Sequence, residues 1–384
     1  MLNRTSETEI VRAGRLPGFD GLRGLAATGV LVLHASVLRL NAHHGMQDFV
    51  AQFQSGVQVF FVISGFVIAR PFVVAVLDGR PLPSLRRYAW RRFVRIFPAY
   101  WLALVAASLF FAAPLSGWRD WLTHLLLLQT YSSYQFNRGI GIAWTLSVEV
   151  AFYVLLPFVF IAVERLSRLV GSLRALVVSL VALFLASCLA VQLIAASGRT
   201  LPTFWLPFQL PVFVVGTLMC VGAEAAFRND RWRGRLRSIG ALFPLWWAAA
   251  LVCLVLAAQL FGVTVVFRAR HQLGQEVLYG LVAVFAVLPI AFGFERSGAG
   301  GRLLTSRPVA YLGAVSYGLY LWHNQLGEFM ADHLFGLRPL ENASLVSLAV
   351  LIVLVFVATI AIASMSWFGV ERPLQRRSGR SSAH

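Results

Sequence analysis

The sequence predicts an all-α fold, a polytopic transmembrane bundle of about ten helices, and three observations predict it. Hydrophobic residues make up 58% of 384 and charged residues only 13%, against roughly 25% charged in soluble domains. The apolar residues fall in blocks of about 20, the length that crosses a bilayer as a helix. The basic residues sit in the gaps between these blocks and alternate between dense and sparse gaps, as cytoplasmic and external loops do.

Taken in order, the blocks place spans at about 20–40, 56–78, 93–113, 143–163, 169–196, 204–225, 240–262, 273–293, 308–331 and 344–370. Residues 1–18 read as a cytoplasmic N-terminal tail, 19–370 as the membrane domain and 371–384 as a cytoplasmic C-terminal tail. The tail before the first block is mostly polar and no A-x-A site follows the block, so the first span is expected to stay in place rather than be cleaved. The longest gap, 114–142, is expected on the outer face. Within it Trp118 to Tyr131 is apolar but short and carries Arg119, Asp120 and His124, which suits an interfacial or re-entrant helix. The competing reading is an eleventh span there.

Arginine decides between them. All 33 basic residues are Arg, and the net charge is +17. With ten spans and both termini inside, 24 arginines fall on the cytoplasmic side and 7 outside, the remaining two being Arg23 and Arg70 within or beside spans. An eleventh span would invert every later loop and spoil this bias. The same distribution argues against nucleic-acid binding, because the charge marks loops rather than a basic face; such loops meet anionic lipid or phosphorylated small molecules. Cys188, Cys220 and Cys253 are isolated in apolar blocks with no CxxC, so neither a disulfide nor a metal site is expected.

Ionisable residues at membrane depth are costly and are functional candidates by default. Arg23 and His34 are separated by 11 positions, about 20° past three full turns, and so share one face of the first helix roughly 16 Å apart. Glu149 falls in the outer half of the fourth span, with Tyr153 one turn on along the same face. Ser316, Tyr320 and His323 form a polar stripe on the ninth. His34, Glu149 and His323 thus come to similar depth from three spans, while Arg23, Arg70, Arg91, Arg92 and Arg95 belong near the cytoplasmic side. Two such layers suit a long substrate with a polyanionic head and a reactive end. The arginine donor fork holds phosphates, and a His paired with a carboxylate can act as a general base. Acyl-CoA has this shape.

The same residues carry a resemblance. FDGLRGLAATGVLVLHA (19–35) resembles the first-span signature of the acyltransferase-3 family of membrane acyltransferases. FFVISGFVIA (60–69), RRFVRIFPAYW (91–101), WTLSVEVAFYVLLP (144–157), SYGLYLWH (316–323) and ERP (371–373) resemble its later elements, in order along nearly the whole chain. Thr145 stands where Ser is commoner, a mild departure. The resemblance implies a multi-pass acyltransferase of the bacterial inner (cytoplasmic) membrane. Such an enzyme moves an acyl group, acetyl being the expected one, from a cytoplasmic acyl-CoA to a hydroxyl of an extracytoplasmic saccharide, polysaccharide or glycolipid. It implies His34 as the essential histidine and Arg23, Arg92 and Arg95 as donor-handling residues. No tightly bound cofactor is expected, only acyl-CoA as cosubstrate; the acyl group is either transferred directly or handed to a separate periplasmic partner.

On this footing His34 is expected as the base with Glu149 assisting, and Arg70 joins the donor-binding arginines. Ser64, Tyr153, Ser316, Tyr320 and His323 are expected to line the acceptor end, with Ser64 and Gly65 permitting close helix contact. A brief acyl-His34 intermediate is the mechanistic variant. A transporter or flippase of a lipid or sugar conjugate is the alternative class; the sequence lacks the repeats and paired broken helices expected of one.

Overall fold

Each of the ten apolar blocks becomes one long helix in the computed structural model, which describes residues 17–40, 43–111, 115–136, 138–263, 269–293, 298–337 and 343–380. They are α1 (Pro17–Ser36), α2 (Gly56–Leu77), α3 (Leu85–Phe110), α4 (Trp144–Val170), α5 (Ser172–Ser197), α6 (Leu206–Phe227), α7 (Phe243–Phe261), α8 (Ala269–Gly293), α9 (Arg307–Phe335) and α10 (Leu345–Ser366). No strand occurs among the described residues. Most of the N-terminal tail and the loop residues Arg268, Arg296 and Arg338 lie outside the described residues.

Among the described residues, eight helices are long and apolar enough to cross a membrane. The two long helices not among them are α1 and α9, which carry Asp20, Arg23, His34, Ser316 and His323. These two are internal. The outer helices instead show lipid-compatible faces: on α5, Leu185, Leu189 and Leu193 recur every four residues and are each more than half exposed, one apolar stripe on one face. The chain is a multi-pass membrane protein with its polar helices turned inward.

Small residues set how closely the internal helices meet. A Cβ at Gly24 would lie 2.7 Å from the backbone nitrogen of Gly313, and one at Gly313 would lie 2.2 Å from the carbonyl oxygen of Asp20. Here α1 and α9 cross with their backbones in contact, the arrangement that small residues allow in membranes. The two run parallel, since Ala35 on α1 later meets Gly327 on α9. A second crossing joins α2 to α6, antiparallel: a Cβ at Gly65 would strike Phe213 O at 2.1 Å and one at Gly216 would strike Val62 O at 2.1 Å. Gly65 therefore provides the close approach expected of it, toward α6.

Two segments differ in form from a simple loop or tail. In the 114–142 gap a nine-residue helix, Gly117–Leu125, is too short to be a span. It is tied down by Asp120, which pairs with Arg138 at 2.6 Å and accepts from Gln135 Nε2 at 2.7 Å. After α10 the chain widens into a π-helical turn, Trp367–Glu371, and continues as a helix, Arg372–Arg380. Residues 371–380 of the segment expected as a tail thus pack against the bundle, with Glu371 only 2% exposed.

Candidate active site

A cavity of about 410 Å³ lies between α1, α2, α3, α4, α9 and the Arg372–Arg380 helix. Arg23 reaches it from α1, Arg91, Arg92 and Arg95 from α3, and Ser64 from α2. Glu149, Tyr153 and Thr145 reach it from α4, and Ser316, Tyr317 and Tyr320 from α9. Helix α3 can carry three arginines there because its first turns, from Leu85, precede the apolar block; Arg is a good helix former and lets the helix continue past the span. The arginines at 91, 92 and 95 then fall on adjacent turns of one side.

Four arginines face two carboxylates, Asp20 and Glu149, so the cavity is cationic. Among the described residues Arg23, Arg92 and Arg95 form no ion pair, and the buried Nε of Arg92 has no hydrogen-bond partner. The Arg92 guanidinium is held over the rings of Tyr88 and Tyr153, 5.9 and 5.6 Å from their centroids, a cation–π setting that leaves its donors available. Buried donors without partners are costly, and an anionic ligand with several acceptor oxygens would satisfy them.

Glu149 stands among these arginines, not beside His34. Its Oε1 accepts from Ser64 Oγ at 2.8 Å, which bridges α4 to α2. The pairing of His34 with Glu149 expected from the sequence is not formed, because Glu149 points into the arginine cavity on the face it shares with Tyr153. His34 has a different partner: His323 Nε2 lies 3.0 Å from His34 Nδ1, with ring centroids 5.0 Å apart. The α1–α9 crossing creates this pair. Gly24 meets Gly313, and ten residues further along each parallel helix His34 meets His323. Neither histidine is among the residues that line this cavity. The ring of Tyr320 connects the two regions: it lines the cavity and lies 5.6 Å from His323. Its hydroxyl donates to Ile142 O at 3.1 Å and accepts from Thr145 Oγ1 at 2.9 Å.

Arg70 is the other departure. It pairs with Glu224 of α6 at 2.7 Å and is absent from the cavity wall. Gly65 draws α6 against α2, so an arginine later on α2 meets the carboxylate of α6 rather than the arginines of α3. Sequence reasoning also passed over Asp20, Tyr317, Gln375 and Ser378, all of which line the cavity. Gln375 and Ser378 are three apart on the Arg372–Arg380 helix, and this polar spacing was the available signal. Glu276 on α8 was missed as well; its Oε2 accepts from Gln58 Nε2 at 2.6 Å, a second polar contact inside the bundle.

The Acyl_transf_3 family, whose description is acyltransferase domain, matches residues 16–367. The chain belongs to this family. Among curated relatives, the Bacillus subtilis protein YrhL, named provisionally as a peptidoglycan O-acetyltransferase, is 23% identical over 95% of this chain and 56% of its own length. The peptidoglycan O-acetyltransferase OatA of Listeria monocytogenes is 24% identical over 94% of this chain and 56% of its own. The acyltransferase MdmB of Streptomyces mycarofaciens is 29% identical over 58% of this chain and 60% of its own. The chain thus spans little more than half the length of these relatives. No solved structure matches it significantly.

Proposed function

We propose that this protein is an O-acyltransferase of the bacterial inner membrane that moves an acetyl group from acetyl-CoA to a hydroxyl of an extracytoplasmic saccharide, polysaccharide or glycolipid. In this reading both termini are cytoplasmic and the arginine end of the cavity opens toward the cytoplasm. The carrying observation is the cationic cavity of Arg23, Arg91, Arg92 and Arg95 next to the pair of a partly buried His34 and a buried His323. The names of the relatives from Bacillus and Listeria support O-acetylation of a cell-wall saccharide.

The arginines would hold the donor phosphates as charge-assisted, partly bidentate pairs. Glu149, fixed by Ser64, balances part of the arginine charge and orders the wall near the acyl end. His34 Nε2 takes the proton of the acceptor hydroxyl as its oxygen bonds to the thioester carbonyl carbon. The carbon–sulfur bond breaks, and the departing thiolate receives the same proton from His34. Thioester and alcohol become ester and thiol, with no net proton change.

The test uses purified protein in lipid, labelled acetyl-CoA and a panel of saccharides, with His34→Ala as control. Labelled ester should form on one class of saccharide and vanish in the variant. Undiminished turnover by His34→Ala would overturn the catalytic assignment. No binding of acetyl-CoA at all would point to transport of a lipid or sugar conjugate instead.

A further inference from the structure

Three contacts of the two histidines assign where their protons sit. His34 Nδ1 lies 3.0 Å from the carbonyl oxygen of Val30, and His323 Nδ1 lies 3.1 Å from that of Leu319. A carbonyl oxygen only accepts, so each Nδ1 must carry hydrogen. In neutral His323 the hydrogen on Nδ1 leaves Nε2 as a bare acceptor. That acceptor lies 3.0 Å from His34 Nδ1, so the His34 N–H is shared between Val30 O and His323 Nε2. A hydrogen on His323 Nε2 would set two donors against each other. One neutral arrangement therefore satisfies every contact, and in it His34 Nε2 has a free lone pair. Assigning tautomers from hydrogen-bond partners in this way is the normal route where hydrogens are not seen.

From this geometry we infer that His323 is a positioning residue for the reaction: it fixes His34 as the Nδ1–H tautomer, aims its basic Nε2 at the acceptor hydroxyl, and accepts from the imidazolium once the proton arrives. The inference rests on His34 being the general base. It gives a neutral imidazole the orienting duty more often performed by a carboxylate, and it explains why Glu149 need not touch His34. A neutral partner also suits burial, because His323 is 1% exposed and a second fixed charge there would be costly.

The α1–α9 crossing makes the duty specific. A histidine on any helix can bond its own i−4 carbonyl, as His34 does with Val30. Here the neighbouring helix α9 adds a second acceptor for the same N–H, with the ring at an interplanar angle of 42° to His323.

The experiment compares His323→Leu, His323→Gln and His34→Ala in the lipid-reconstituted protein. Leucine removes the acceptor; glutamine returns a carbonyl oxygen near the position of Nε2. His323→Leu should lower kcat by about 10- to 100-fold, part of the 10²–10⁴ that general-base catalysis supplies, while KM for both acetyl-CoA and acceptor stays within about twofold. His323→Gln should recover most of that loss. Independently of activity, ¹⁵N-histidine NMR of the wild-type protein should show His34 as the Nδ1–H tautomer, a readout that survives even if the leucine variant fails to fold. A wild-type His34 carrying hydrogen on Nε2 would overturn the inference. So would a His323→Leu variant with full kcat beside a dead His34→Ala, which leaves the general-base reading standing. A raised acceptor KM at unchanged kcat would return His323 to a binding role and overturn the inference. Full activity of His34→Ala would remove the base itself, and the inference with it.

Discussion

Adding a single methyl group at Gly313 should slow acyl transfer although Gly313 has no side chain in the cavity. The new Cβ would sit 2.2 Å from Asp20 O and 2.5 Å from Asp20 C, and real Cβ contacts do not fall below 3.0 Å. The obstacles are backbone atoms of α1, so no rotamer change relieves them, and the helices must separate by the difference, at least 0.8 Å. Carried along two parallel helices, that displacement takes the His34–His323 contact from 3.0 Å toward 3.8 Å, beyond hydrogen-bond reach. Overpacking of this kind costs about 1–3 kcal/mol, and misplacing a catalytic group by about 1 Å costs on the order of 10²-fold in rate. Gly313→Ala is thus expected to lower kcat roughly 100-fold and to reduce the unfolding temperature moderately. The assay is labelled-acetyl transfer at saturating donor and acceptor, with thermal unfolding in the same lipid. Gly280→Ala is the control: nothing lies within 4 Å of the added atom, and alanine is favoured over glycine in a helix by up to about 1 kcal/mol. Wild-type kcat and stability in Gly313→Ala would refute the claim that this crossing sets the site.

Three further outcomes follow from the same geometry. Arg92→Ala should raise KM for acetyl-CoA roughly 10- to 100-fold, the equivalent of losing hydrogen bonds to a charged group; Arg70→Ala, whose partner is Glu224, should leave that KM within about twofold while lowering stability. Ser64→Ala removes the 2.8 Å bond to Glu149 and should destabilise the fold by about 1–3 kcal/mol; in a double-mutant cycle its cost should shrink once Glu149→Gln is present. At the end of α2, Asp78 is held below the ordinary carboxylate value of 3.8, chiefly by hydrogen bonds from Arg228 and Arg80. A depressed carboxylate stabilises the fold above its ordinary value and loses that contribution as pH falls through its folded value. The stability gap between wild type and Asp78→Asn, measured by thermal unfolding, should therefore be full near neutrality and close below about pH 4. A gap independent of pH would show that this cluster contributes nothing electrostatic.

Part of the site is legible in the sequence. Arg23, Arg92, Arg95, Ser64, Glu149, Tyr153, Ser316 and Tyr320 all line one cavity; helical spacing and the cost of buried polarity singled out Arg23, Glu149, Tyr153, Ser316 and Tyr320, the family resemblance marked Arg92 and Arg95 as donor-handling, and Ser64 stood out as a small residue at a helix contact. Arg70 resembled them by composition alone, and the difference lay in a neighbour 154 positions away. His323 was expected at the acceptor end, and what no local signal gave was its contact with another histidine 289 positions distant. Gln375 and Ser378 share a helical spacing, but that spacing does not say that the Arg372–Arg380 helix packs against α3, so they read as tail residues.

Sequence alone determined the helices, because apolar length and helical periodicity are local properties that a bilayer-sized block already contains. It also determined that arginine and histidine lie at two ends of one face of α1, because 11 positions along a helix fix both angle and rise. Tertiary structure alone decided what those two residues meet. Close backbone contact at Gly24 and Gly313 sets the parallel register of α1 and α9, and that register gives His34 a histidine for a partner. The approach of α6 at Gly65 takes Arg70 out of the cavity, and the Ser64 bond keeps Glu149 within it. Pairwise contacts between distant segments depend on how closely whole helices pack, and no single stretch of chain encodes that distance.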